Sequence, residues 1–194
     1  MGGASDGRAI WVVGLPGCGK STLVRGIRDH LLARGIEPVI LEMDQKRKEY
    51  FPEPAYTAQE RERAYAMFVD EAAEIVGQGR FVIMDGSAYK AAFREYARQR
   101  IPRFAEIFLR CRLETAMERE ANRPGGLVMA GMYQKALRRR ITGEVVEGLG
   151  EVIGVDVPFE ESPHPELLID NSKMDKTTCL GKVLHFVDGW VSEA

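Results

Sequence analysis

The chain has 194 residues, with 27 basic against 29 acidic side chains and a net charge of -2. That length suits one domain, since domains run to about 100–200 residues, and the near-neutral balance argues against a dedicated nucleic-acid partner. The three cysteines, Cys18, Cys111 and Cys179, have neither metal-ligand nor disulfide-framework spacing, which fits reduced thiols in the cytoplasm.

Met1 to Arg8 is small and polar, lacks a secretory apolar core, and reads as a flexible N-terminus. No apolar run is long enough to span a bilayer, so no membrane partner is expected. Ala9 to Val13 reads as the first strand. It leads into Gly14-Leu15-Pro16-Gly17-Cys18-Gly19-Lys20-Ser21, which fits the phosphate-binding pattern G-x-x-x-x-G-K-[ST] at every position. Ser21 to Arg34 follows with helical spacing of Leu23, Ile27 and Leu31. Strand, Gly-rich loop and helix are the context this motif needs. Backbone N–H groups turn inward around a polyphosphate, and the helix N-terminus adds partial positive charge. Lys20 is expected to reach the β- and γ-phosphates of ATP, and Ser21 to ligate Mg²⁺. Alkylation of Cys18, inside the loop, is expected to block nucleotide entry.

Glu37 to Met43 reads as a second strand, and Pro52 and Pro54 mark a loop. Thr57 to Val76 is a long helix whose Thr57 and Glu60 resemble a capping box. Phe81 to Met84 is a third, apolar strand. Tyr89 to Arg100 is helical, Arg103 to Arg110 is a fourth strand with polar intrusions, and Leu113 to Ala121 is a helix. Pro124 to Pro163 is dense in Gly and carries a basic helical stretch, Tyr133 to Arg140, with Lys135, Arg138, Arg139 and Arg140. It reads as a lid over the phosphates. Leu167 to Ile169 is the last strand and Lys176 to Val191 the closing helix. This alternation predicts a single α/β domain over 1–194. Its parallel sheet has helices on both faces, the P-loop NTPase fold, with the lid segment at 124–163 late in the chain.

Ligands of such sheets bind at the carboxyl ends of the strands. Asp44 after Leu41-Glu42-Met43 and Asp85 after Phe81-Val82-Ile83-Met84 both read as strand-end carboxylates. Either can orient or deprotonate an acceptor hydroxyl, or hold Mg²⁺ through water. Glu42 would share a strand face with Asp44. Arg47, Arg61, Lys90, Arg94, Arg119 and Arg123 are the cations that could stabilise a transferring phosphoryl group. Tyr65, Met67, Phe68 and Trp11 read as core, and His30, His164 and His185 as structural.

The order of these motifs resembles adenylyl-sulfate kinase, which phosphorylates the 3′-hydroxyl of adenosine 5′-phosphosulfate. The likeness runs from the first strand to the last. The P-loop with Thr22 resembles G-L-x-G-[AS]-G-K-S-T, and Leu41-Glu42-Met43-Asp44 with Arg47 resembles L-D-G-D followed by Arg. Glu60-Arg61 resembles D-R, Ser87-Ala88-Tyr89-Lys90 resembles S-P-Y-R, and Tyr133-Gln134-Lys135-Ala136 resembles the lid's Y-K-K-A. Gly154 to Glu160 resembles G-I-D-x-P-Y-E. The resemblance implies a catalytic-site role for Asp44 beside the P-loop Lys20, whereas Asp85, a catalytic candidate from its own strand end, has no clear counterpart in the family. It implies an acceptor site containing Arg47, Arg61, Ser87, Lys90, Lys135 and Phe159, with Arg119 near the nucleotide base. It implies ATP and Mg²⁺, a small-molecule acceptor, and a homodimer. The chain departs from the family pattern at Glu42, Ala64, Ala66, Lys90 and Val152, all on the acceptor side. Related kinases of other nucleotide-linked, sugar or polynucleotide acceptors, and a nucleotide-binding regulator that works through a partner, are the alternative readings.

Overall fold

The computed structural model describes residues 7–53, 57–122 and 131–192. Residues 1–6, Pro54, Arg123 and the first part of the expected lid, 124–130, lie outside the described residues. Strands β1 (Arg8–Val13), β2 (Val39–Glu42), β3 (Phe81–Asp85), β4 (Phe104–Arg110) and β5 (Leu167–Asp170) form one sheet in the order β2-β3-β1-β4-β5. Every neighbouring pair is parallel. Among the described residues no helix is long and apolar enough to cross a membrane.

Successive strand residues face opposite sides of a sheet, and the central strands divide accordingly. Ile10, Val12, Ile83, Ala105, Ile107 and Leu109 pack with α1 (Lys20–Ala33), α5 (Leu113–Ala121), α6 (Met132–Thr142) and α7 (Lys176–Ser192). Trp11, Val13, Val82, Met84, Phe104 and Phe108 pack with α3 (Ala58–Gly77) and α4 (Ala91–Arg100). Thr57 caps α3 by accepting from the Glu60 N–H at 3.2 Å.

Three expectations are corrected. Residues Met43–Tyr50 form a helix, α2, where the sequence pattern ends a strand at Met43. Only Met43 and Arg47 of this polar segment are buried, so it has no apolar stripe to announce it. Asp44 therefore stands in the first turn of a helix, not at a strand end, and it shares no strand face with Glu42. The expected flexible stretch 1–8 loses its last two residues. Arg8 opens β1, is buried, and donates to the carbonyls of Trp190 and Val191 at 3.4 and 2.9 Å. Met67, expected in the core with Tyr65 and Phe68, is 41% exposed.

The polar intrusion in β4 is Glu106, which is fully buried between Phe104 and Phe108 on the α4 side. Arg94 of α4 meets it at 3.1 Å and Arg98 at 3.2 Å. Burial pushes the Glu106 carboxyl up, against the pull of Arg94, Ser162 and Arg98. Arg94 also donates to the carbonyls of Ala88 and Glu160. Arg98 forks onto both oxygens of Glu166, and Glu166 Oε2 also accepts the Glu106 N–H at 2.7 Å. Arg94, a candidate for phosphoryl-charge stabilisation in the sequence, is thus a buried structural cation. Glu106→Ala leaves that guanidinium buried without its counter-charge, so stability should fall by about 3–5 kcal/mol in urea unfolding. Glu106→Leu combined with Arg94→Met removes both charges and should recover part of the loss. Parental stability in the single variant would remove Glu106 from this structural role.

Candidate active site

The Gly-rich loop joins β1 to α1 at the carboxyl edge of the sheet. Two glycines are required by contact as well as by conformation. A Cβ on Gly14 (φ 144) would sit 2.5 Å from the Leu109 carbonyl oxygen, and one on Gly17 (φ 79) 2.5 Å from that of Ala116. Gly19 caps α1 without a side chain, and no acidic residue occupies the first turn. The N–H groups of this helix end are therefore left to a ligand. Lys20 Nζ donates to the carbonyls of Gly14 and Leu15 at 3.1 and 3.0 Å, so the ammonium lies folded back over its own loop. Ser21 and Thr22 follow in the first turn of α1. Asp85 ends β3, buried, in register with Val12 and Glu42.

Behind the loop, Cys18 is fully buried. Burial raises its thiol above the ordinary value, with Lys20 opposing and Asp85 adding to the rise. The expected alkylation site is therefore a core group, closed to reagents while the protein is folded. The Cys18 carbonyl accepts from Asn171 Nδ2 at 2.8 Å and from Arg119 Nη1 at 3.4 Å. Arg119 also donates to Asn171 Oδ1 at 3.1 Å and to its carbonyl at 2.9 Å. Beside this brace lies a cavity of about 450 Å³ lined by Arg112, Asp170, Ser172, Lys173, Met174 and Asp175. Asn171 carries no motif in the sequence. Its place just past β5, at the ligand edge, is the signal that could have found it.

On the other flank, charged groups converge on the Tyr65 hydroxyl. Burial pushes it up to about 12, and Arg47, Asp44 and Arg61 all act on it. That hydroxyl accepts the Ala88 N–H at 2.9 Å. Ala88 holds φ 48, an uncommon conformation for a residue with a Cβ. Its neighbour Ser87 accepts the Gly14 N–H through its carbonyl at 3.4 Å, which ties this loop to the P-loop. Arg47 Nη1 lies 3.7 Å from Glu60 Oε1, both largely buried. Arg61 donates to the Glu151 carbonyl, has Glu151 Oε2 at 3.6 Å, and stands over the Tyr89 ring at 5.9 Å. Lys90 pairs with Glu62 at 2.7 Å. Phe159 stacks on Phe108 at 5.2 Å, with Leu15 and Gly154 around an adjoining cavity of about 250 Å³. The ring of Tyr65 is core, as expected; its hydroxyl is a polar hub that residue type alone does not reveal.

Residues 131–163 of the lid-like segment dock on the loop. Tyr133 of α6 is buried and donates to the Pro16 carbonyl at 2.9 Å. A Cβ on Gly154 would lie 3.1 Å from Leu15. Arg139 bonds the carbonyls of Leu149 and Gly150 and the Asp156 carboxylate, and Arg138 pairs with Glu144. Arg140 donates to the Val155 carbonyl at 3.4 Å, so three of the four basic residues of α6 hold the segment itself. Lys135 is half-buried, two residues from Tyr133, so the two do not share a helix face. Val152, one of the positions where the chain departs from the family pattern, is buried in the core.

The chain matches the adenylylsulphate kinase family over residues 6–170. It is 31% identical over 167 residues to the probable adenylyl-sulfate kinase of Archaeoglobus fulgidus, spanning 86% of this chain and 97% of that protein. It is 30% identical over 169 residues to the probable adenylyl-sulfate kinase of Pyrococcus abyssi, spanning 87% and 88%. The structure of the Mycobacterium tuberculosis APS kinase CysC in complex with AMPPNP and APS shares the fold, with TM-score 0.75 at 21% identity over 94% of this chain and 98% of that one. With its P-loop intact and the family match running through nearly every element of the sheet, the chain belongs to the adenylylsulphate kinase family of ATP-dependent phosphotransferases.

Proposed function

We propose that this chain transfers the γ-phosphoryl group of ATP to a hydroxyl of a small nucleotide-linked acceptor, and that the 3′-hydroxyl of adenosine 5′-phosphosulfate is the acceptor to test first. One observation carries the reading. The P-loop with Lys20 and the cluster Asp44, Arg47, Arg61 and Tyr65 are linked by the Gly14–Ser87 and Ala88–Tyr65 bonds. A phosphate donor and an anionic acceptor can therefore meet across one short loop.

The polyphosphate lies along the N–H groups of Gly17, Gly19, Lys20 and Ser21, with the base directed to the cavity beside Arg119 and Asn171. Lys20 exchanges the Gly14 and Leu15 carbonyls for the β- and γ-phosphates and stabilises the charge that develops on them. Ser21, with Asp44 or Asp85 through water, offers the hard oxygen donors that suit Mg²⁺, an ion that keeps several waters and takes phosphate oxygens. When bound, Mg²⁺ would offset the negative charge of the β- and γ-oxygens. The acceptor oxygen attacks the γ-phosphorus, its proton passes to Asp44, which is exposed in the crevice, and ADP leaves. Arg47, Arg61, Ser87, Lys90, Lys135 and Phe159 surround the acceptor in this reading. Free thiols at Cys18, Cys111 and Cys179 support a cytoplasmic setting. Ile141 and Val145, 84% and 89% exposed, support self-association as a homodimer.

Lys20→Ala should lower turnover by about 10²–10³-fold or more, as loss of a transition-state charge donor does. ADP release in a coupled assay reads it, and near-parental turnover in a folded variant would sink the P-loop assignment. Asp44→Asn should reduce kcat by about 10²–10⁴-fold while nucleotide affinity changes little. If Asp85→Asn gives the large rate loss instead, the two carboxylates exchange roles. Amide exchange across residues 131–163 should slow when AMP-PNP and adenosine 5′-phosphosulfate are added together. Unchanged exchange there would make the segment a fixed wall, not a lid.

A further inference from the structure

The acceptor-side cations are not bare. Arg47 faces Glu60, Lys90 faces Glu62, and Arg61 faces Glu151. Lys20 differs, because its ammonium rests on two backbone carbonyls. The Arg61–Glu151 contact is incomplete in a particular way. Arg61 Nη2 donates to the Glu151 backbone carbonyl. Arg61 Nη1 is buried and, among the described residues, has no hydrogen-bond acceptor. The Glu151 carboxylate stands 3.6 Å from it, too far for a hydrogen bond but close enough to offset its charge. The Glu151 side chain is 46% exposed, whereas the Arg61 side chain is 8% exposed.

We propose that Glu151 is a specificity-determining residue of the acceptor site. It competes with an acceptor's anionic group for Arg61 Nη1, and so lowers the site's affinity for acceptors that bring a concentrated negative charge there relative to those that bring little. This rests on the phosphotransferase reading above and adds to it the charge class of the acceptor. A buried guanidinium with one unused donor is a receptor for an oxyanion. A carboxylate held at its edge must be displaced, or must repel the newcomer, before that donor is used. An acceptor carrying little charge at this point leaves the Glu151 contact intact. A phosphosulfate, with two negative charges, has to overcome it. The effect is one of selection against one ligand class, which repulsive placement produces more sharply than added attraction.

The test is Glu151→Gln in the full chain. The substitution keeps the backbone carbonyl that tethers Arg61 and removes only the competing charge. Titration calorimetry with adenosine 5′-phosphosulfate, on protein saturated with AMP-PNP and Mg²⁺, should give affinity about three- to tenfold tighter than in the parent, as expected for relief of one partly exposed like-charge contact. AMP-PNP affinity should be unchanged. The gain should vanish when Arg61→Met is added, because it runs through that guanidinium. Equal affinity in parent and variant overturns the proposal, and so does binding undetectable in both. A gain that persists without Arg61, or that is matched by AMP-PNP, overturns it in favour of general loosening of the 131–163 segment. Binding is read apart from turnover. A protein that releases no ADP with any acceptor refutes the phosphotransferase reading, whereas normal turnover with unchanged binding refutes only the role of Glu151.

Discussion

Glu106 occupies the middle of β4 with no access to solvent, on a face whose other residues are Phe104 and Phe108. An ionised group there needs both counter-charge and donors, because the surrounding medium supplies neither. Arg94 and Arg98 supply them from α4, and their remaining donors reach the Ala88 carbonyl, the Glu160 carbonyl and Glu166. Glu160 in turn accepts the Ala91 N–H at 2.8 Å and donates its own N–H to the Tyr89 carbonyl at 2.8 Å. Through this one buried charge, α4, the loop at 86–90, the end of the lid-like segment and the start of β5 are fixed to one another. An apolar pair could fill the same volume, but it has no forked donors with which to hold three loops.

The P-loop is held from behind to the same degree. Cys18 is packed in the core, its carbonyl is shared by Asn171 and Arg119, and Pro16 is bonded by Tyr133. Its front carries the ammonium of Lys20. The cost of ordering the loop is thus met before a nucleotide arrives, and binding requires one side chain to exchange partners. Such preorganisation is what allows fixed dipoles to stabilise developing charge without reorganising during reaction.

The sequence made most of this legible where local chemistry and periodicity agree. The P-loop, β1, β3, α1 and α3 announce themselves because glycine spacing, apolar runs and a Thr57 cap are local signals. The helix α2 does not, since Met43 is its only buried apolar residue. Asp44 consequently reads as a strand end in the sequence. The buried Glu106 reads as a polar intrusion until Arg94 is brought to it across the sheet face. Glu151 and Asn171 belong to no motif, and their positions depend on contacts with Arg61 and Cys18 far away in the chain. Residue type marks what a side chain can do. Only the packing says which partner it has been given.

The guanidinium of Arg8 has a consequence for how the molecule comes into being. It lies in β1, at the centre of the sheet, and its acceptors at Trp190 and Val191 are 182 and 183 residues further along. During synthesis β1 leaves the ribosome before its sheet neighbours β3 and β4 are made, and these two acceptors for the charge at its head arrive only with α7. The nucleotide loop that continues from β1 therefore gains its full support only after α7 has been made. A nascent chain halted before α7 should carry the P-loop motif without yet holding the shape that binds phosphate.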